Sequence, residues 1–340
     1  MYTEFYRLRA EPFLLTPDHR FYFESSVHSQ AMAHLTYGLS RGEGFIVITG
    51  EIGAGKTMLV KRLCASLDSQ RFFTAHVVTT QLDGSNLLRV IAGAFGLKDL
   101  PSDKGSLLQR LQSFFEAAHK SNVRCLLLVD EAQNLPISSL EELRMLSNYQ
   151  IGNVAPFQCF LVGQPQFRAV LANADLEQFR QRIIATYHLG PMNCQECSEY
   201  LLHRLQQVGW RKDPSFDSMA IDAIYRHTEG IPRRINTLCT RLLLFGFLDD
   251  IHHFTADEVN KVAVDLEAET SNIRANGNGA DTNGAVNGAV VRSTESYGAD
   301  ADVMTRVEGL ERRLSHQEAF VKRVASAVHD FLRSGPSDSS

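Results

Sequence analysis

From Phe45 onward the chain alternates short apolar runs with stretches whose apolar residues recur three and four positions apart. The short runs predict buried strands near 45–50, 72–79, 124–130, 157–163 and 185–189. The stretches between them predict amphipathic helices at 56–67, 85–95, 106–119, 138–150 and 165–173. Strand and helix in regular alternation specify an α/β class with a parallel five-stranded sheet. After Pro191 the strand-like runs stop, and residues 193–267 carry helix spacing alone, with helices expected at 194–208, 217–228, 232–247 and 255–267. Ahead of the sheet, residues 1–44 hold a turn-rich segment with Pro12 and Pro17, then a helix from about Ser26 to Leu39.

The pattern changes again near the end. Between Thr270 and Asp302 lie four Asn-Gly pairs and almost no large apolar residue, so residues 269–302 are expected to form a disordered linker. A flexible chain of that length reaches roughly 30 Å. Beyond it, Val303, Val307, Leu310, Leu314, Gln317, Val321, Val324, Val328 and Phe331 step by fours and threes, a coiled-coil heptad with Gln317 as its polar core position. Arg306 with Glu311, and Arg313 with Glu318, have the spacing of interchain ion pairs, whereas Gly309 weakens the helix. Residues 303–334 read as a self-associating coiled coil, with docking on a partner as the rival. The expected divisions are 1–44, an α/β domain at 45–190, an all-α lid at 191–268, the linker and the coil.

One motif gives this architecture chemistry. Gly50-Glu51-Ile52-Gly53-Ala54-Gly55-Lys56-Thr57 fits the Gly-x4-Gly-Lys-Thr phosphate loop (Walker A), and it stands between a predicted strand and a predicted helix. Glycines let the backbone wrap a polyphosphate so that N–H groups, through Met58 at the helix start, face the anion. Lys56 then reaches the β- and γ-phosphates of ATP, and the Thr57 hydroxyl holds Mg²⁺. A second run, Leu126-Leu127-Leu128-Val129-Asp130-Glu131, is a buried strand ending in two carboxylates (Walker B). Asp130 is the expected metal ligand, directly or through water, and Glu131 the residue that orients and polarises the attacking water.

Further candidates follow the remaining strands. Gln164, just past 157–163, suits a sensor of the γ-phosphate or the water, with helix capping before Pro165 as the alternative. Arg180 and Arg182 precede the last strand, and Arg182 is the favoured guanidinium for a neighbouring subunit's γ-phosphate. Gly230-Ile231-Pro232-Arg233-Arg234 opens a lid helix, where Arg233, favoured over Arg234, closes over bound ATP.

Composition narrows the partners. At 44% hydrophobic the chain builds real cores, and a formal charge of −5 gives no bulk attraction to nucleic acid or an acidic membrane surface. No apolar run approaches the length of a membrane span, the longest being Leu242–Leu248, and the first residues lack the apolar core of a signal peptide. A cytoplasmic protein without direct membrane insertion is expected. Cys64, Cys125 and Cys159 read as core thiols, and Cys194-x2-Cys197 lacks the second pair that a zinc site needs.

The phosphate loop, the Asp-Glu strand, the polar strand end, the paired arginines and the Gly-x-x-Arg lid together resemble the AAA+ ATPases. Pro12-Phe13, Tyr37-Gly38-Leu39, Gly163-Gln164-Pro165 and Phe179-Arg180-Gln181-Arg182-Ile183 are similar to the general secretion pathway protein A family. The nearest resemblance is to the secretion ATPases of exosortase/PEP-CTERM exopolysaccharide loci, over residues 1–268. It implies an Mg²⁺-ATPase that assembles as a homo-oligomer and drives or regulates a secretion or polysaccharide-export machine. The chain departs from the secretion pathway protein in showing no membrane span and no periplasmic peptidoglycan-binding domain, so direct action on the cell wall is not expected. The runner-up is a DNA-binding helper like the target-selection ATPases of transposons, and a third reading is a nucleotide-gated scaffold. The acidic balance speaks against the second and Glu131 against the third. Thr80-Gln81-Leu82-Asp83-Gly84-Ser85 lacks the aromatic pore loop of an unfoldase.

Overall fold

The computed structural model describes residues 1–16, 18–78 and 84–277. The coiled-coil positions from Val303 to Phe331 and most of the expected linker lie outside the described residues. A compact unit spans Met1–Glu267.

In chain order its elements begin with α1 (Tyr2–Phe5), α2 (Ser26–Arg41), β1 (Phe45–Gly50), α3 (Lys56–Ser66), β2 (Phe72–Val78), α4 (Gly84–Ala94) and α5 (Lys104–Lys120). Next come β3 (Arg124–Asp130), α6 (Ile137–Ser147), β4 (Phe157–Gly163), α7 (Gln166–Leu171), α8 (Glu177–Arg180) and β5 (Ile183–Leu189). The chain continues with α9 (Cys194–Gln207), β6 (Ser215–Phe216), α10 (Ser218–Thr228), α11 (Pro232–Leu248), β7 (His253–Phe254) and α12 (Ala256–Gly277).

Five strands form one parallel sheet in the order β2-β3-β4-β1-β5. β1 and β4 are buried along their whole length, which is why they read as unbroken apolar runs rather than alternating ones. Alternate residues feed two layers. Phe45, Val47, Leu127, Val129, Cys159 and Leu161 face the core made with α4, α5 and α6. Ile46, Ile48, Leu126, Leu128, Phe160 and Val162 face the core made with α2 and α3. Because the sheet is parallel, Gly50, Asp130 and Gly163 all finish their strands at one edge, where α/β sheets place their ligands.

The third core is helical and contains a surprise. Tyr6, Leu8, Phe13 and Phe21 are buried there with residues of α9, α10, α11 and α12. Buried Arg204 of α9 donates from Nε to the Pro12 carbonyl at 2.7 Å and from a terminal nitrogen to the Leu14 carbonyl at 2.8 Å. Tyr6 donates its hydroxyl to the Ile251 carbonyl at 2.8 Å. The segment expected as one piece, 1–44, is thus divided: its start completes the lid and α2 packs on the sheet. Its apolar residues follow no period, so sequence alone does not assign them to a core.

Two further differences concern the lid. It is not purely helical, because Ser215–Phe216 and His253–Phe254 pair as two short parallel strands. Two-residue strands are too short to leave a periodic signal. And α12 runs to Gly277, past the expected lid end at 268 and into the stretch read as linker.

Candidate functional site

β1 ends at Gly50 and the chain turns through Glu51–Gly55 into α3. Gly53 and Gly55 have φ of +83° and +96°, a region that L side chains avoid. Space excludes side chains as well. A Cβ on Gly53 would stand 2.2 Å from Arg233 Cβ, and one on Gly50 would stand 2.5 Å from the Leu189 carbonyl oxygen. No side chain caps α3, whose N-cap is Gly55, so its first turn is shaped to hold an anion. Glu51 and Ile52 are exposed on the rim, Ala54 is buried beneath it, and Met58 lies in the first turn of α3.

Lys56 arches back over this loop, its Nζ donating to the Gly50 and Glu51 carbonyls at 2.8 and 2.9 Å. Burial pulls its pKa down, while Glu131, Asp130 and Glu51 favour the charged ammonium. Thr57 Oγ1 donates to Asp130 Oδ2 at 2.7 Å, and Asp130 Oδ1 accepts from the Glu131 N–H at 2.9 Å. A hydroxyl and a carboxylate converging beside the phosphate loop are hard oxygen donors of the kind that Mg²⁺ takes. Among the described residues no group of three or more His, Cys, Asp or Glu side chains has the arrangement of a metal site, and Cys194 and Cys197 are free thiols.

Glu131 occupies a left-handed conformation, φ 54° and ψ 39°, just past β3. Its Oε2 accepts from Gln133 Nε2 at 2.5 Å and from Gln164 Nε2 at 3.1 Å. Gln133 Oε1 in turn accepts from the Gln164 N–H at 2.9 Å, so one amide links the ends of β3 and β4. Gln133 was not among the expected site residues; a polar side chain two positions past the acidic pair is its only sequence signal. His28, also unexpected, is buried at the start of α2 with Nε2 facing Gly55. Its isolated place in a helical pattern gives no such signal.

Arg233 meets the phosphate loop through its backbone, the N–H donating to the Gly53 carbonyl at 3.3 Å, and its side chain is exposed. Arg234 instead pairs with Glu229 at 2.5 Å. Arg182 is elsewhere. The strand pairing sets Phe45 beside Ile183 and Gly50 beside Leu189, so Arg182 lies at the opposite end of the sheet from the phosphate loop. It donates to the Ser147 carbonyl at 3.3 Å and, with Arg144, Glu43 and Glu177, lines an open depression of about 690 Å³. Arg180 donates to the Leu171 and Asn173 carbonyls at 2.9 and 2.5 Å, which ties down the preceding turn. The structure therefore gathers the phosphate loop, Asp130, Glu131, Gln164 and Arg233 at one edge and leaves Arg182 and Arg180 out.

Fold and sequence comparisons agree on the class. Residues 39–171 match the AAA domain family, and the parallel sheet with its phosphate loop has the AAA+ P-loop fold. The chain is similar to General secretion pathway protein A of Aeromonas hydrophila, at 35% identity over 281 residues, 82% of this chain and 50% of that protein. It thus spans about half the length of the curated relative it matches. Two solved structures share the fold. Cdc6p of Pyrobaculum aerophilum has a TM-score of 0.58 at 18% identity, covering 74% of this chain and 69% of that one. The ADP form of Aeropyrum pernix ORC2 has a TM-score of 0.54 at 16% identity, covering 74% and 71%.

Proposed function

We propose that this chain is an Mg²⁺-dependent ATPase whose hydrolysis cycle drives or regulates a secretion or exopolysaccharide-export machine. The observation that carries the catalytic part is the convergence of Lys56, the Thr57–Asp130 pair and the Glu131–Gln164 pair at the carboxyl edge of the sheet. The similarity to General secretion pathway protein A over 82% of the chain supports the secretion part. The resemblance to exosortase/PEP-CTERM loci adds polysaccharide export as the machine it would serve. Among the described residues no helix is long and apolar enough to cross a membrane, which accords with action from the cytoplasm on a machine held by other proteins.

In this reading Gly50–Thr57 and Met58 wrap the triphosphate with backbone N–H groups, and Lys56 leaves the Gly50 and Glu51 carbonyls for the β/γ oxygens. Thr57 and Asp130 would hold Mg²⁺, whose charge would offset that of the phosphate oxygens. Glu131 takes a proton from the attacking water while Gln164, already bonded to it, orients the same water. The products are ADP and inorganic phosphate. Arg233 closes the lid side of the site.

Two substitutions test the site. Lys56→Ala is expected to lose tight ATP binding by calorimetry, and Glu131→Gln to bind ATP normally but not turn it over. Parental turnover by Glu131→Gln would remove the carboxylate from the role of base. The machine is tested in the host. Replacing the gene by the Lys56→Ala form should stop export of the secreted polysaccharide or protein. Unimpaired export, with a salt-sensitive ATP-dependent shift of duplex DNA, would move the assignment to the DNA-helper class.

A further inference from the structure

Ser25 and His28 open α2 and are buried, at 1% and 6% exposure. Ser25 is the N-cap, and its Oγ accepts from the His28 N–H at 3.4 Å. Its hydroxyl hydrogen is left for His28 Nδ1, 2.7 Å away. The imidazole proton then sits on Nε2, and Nε2 is the nitrogen that faces the phosphate loop, 2.9 Å from where a Cβ on Gly55 would stand. The loop group that this nitrogen approaches is the Ala54 carbonyl, which favours the protonated ring. Ala54 is 1% exposed, so this carbonyl has no water to turn to.

That contact has a consequence for the anion cradle. In a trans peptide the carbonyl and the following N–H point in opposite directions. Pinning the Ala54 carbonyl toward His28 therefore turns the Gly55 N–H away from it, to the side where phosphate is held. The same helix start also touches the lid. The Ser26 N–H donates to Glu196 Oε1 at 2.6 Å, and Glu196 Oε2 accepts from the Asn193 N–H at 3.0 Å at the mouth of α9. The lid meets the loop directly as well, through the Arg233 N–H on the Gly53 carbonyl.

We infer that His28 is a positioning residue of the ATPase site. It sets the Ala54–Gly55 peptide for polyphosphate binding, and the Ser26–Glu196 contact ties that setting to the lid. The inference rests on the assignment of Gly50–Thr57 as the phosphate site. Its ligand class is a nucleoside di- or triphosphate, held through the phosphates.

The test uses the full chain with ATP and ADP titrated by calorimetry. Losing this buried polar contact in the cradle should weaken His28→Ala binding of both nucleotides about tenfold. His28→Gln keeps an amide donor of similar reach and should return to within about threefold of the parent, whereas His28→Asn, one methylene shorter, should not. Equal impairment of the Gln and Asn forms, with parental melting, would overturn the inference, as would parental binding by His28→Ala. Ser26→Pro removes the N–H given to Glu196 together with the Ser26 hydroxyl that also favours its carboxylate. It falls at the first helical position and follows an extended residue, Ser25 at ψ 167°, where proline is at home. Its loss of affinity should shrink in the His28→Ala background. Independent effects that simply multiply would overturn the tie to the lid. Lys56→Ala in parallel separates the two levels. Parental binding by Lys56→Ala means the phosphate site is misplaced, and loss there with parental binding by His28→Ala means the histidine alone is misassigned.

Discussion

Glu196 shows how a single side chain serves both the lid and its junction with α2. Burial pulls its pKa upward, but the hydrogen bonds from Ser26 and Asn193 outweigh it and bring it below the ordinary 4.5. A carboxylate with a lowered folded-state pKa adds stability that is complete above its unfolded value and is lost as pH falls through the folded one. Glu196→Gln removes the charge but keeps the shape. The melting-temperature gap between parent and variant should therefore be full at neutral pH and close as the pH drops below 4.5. A gap of constant width from pH 7 to pH 3 would show that the charge contributes nothing. The thiols follow the same physics in the other direction. Burial pushes Cys64 up to about 11 and Cys125 up to about 12, so these are inert packing groups.

At the scale of elements, α11 is the part of the lid that reaches the phosphate loop, and Gly230 sets its start. Gly230 has φ +71°, and a Cβ there would stand 2.1 Å from the Met192 carbonyl oxygen. Its own carbonyl accepts from the Met192 N–H at 3.1 Å, so two chain segments cross at this residue. Gly230→Ala should cost about 1–3 kcal/mol from backbone strain alone, before the clash is relieved. Chemical denaturation measures that loss, and ATP affinity should fall with it because Arg233 is displaced from Gly53. Parental stability would mean that the Met192 segment moves aside freely. Such long-range crossings mark the limit of what sequence makes legible. The five strands and the phosphate loop are local patterns, visible in Phe45-Ile46-Val47-Ile48 and in the spacing from Gly50 to Thr57. Lys56, Asp130, Glu131 and Gln164 were legible because each ends or follows a strand. His28 on Ala54, Gln133 between two strand ends and Tyr6 in the lid core depend on contacts between distant segments, which no local period encodes.

For the whole molecule, the position of Arg182 bears on whether the proposed turnover is completed by one chain or by two. Lys56 and Glu131 lie at the carboxyl edge of the sheet, while Arg182 precedes β5 at the other edge beside Phe45. A guanidinium there does not serve the phosphate loop of its own chain, but a head-to-tail neighbour would bring it to the next one. In such a heterologous ring every interface pairs one chain's loop with another chain's arginine. Arg182→Ala should then bind ATP but turn it over roughly 10³–10⁵ times more slowly, the range known for arginine fingers. Lys56→Ala should be inactive for the opposite reason, lacking the loop but keeping the arginine. Mixed in equal amounts, the two inactive proteins should form roughly a quarter of their interfaces from an intact loop and an intact arginine. ATPase activity should therefore reappear on mixing and peak near equal proportions. Differently tagged subunits, captured through one tag and detected through the other, establish that mixed assemblies have formed. If they form and no activity returns at any ratio, Arg182 acts within its own chain, through the hydrogen bond to the Ser147 carbonyl that it already makes.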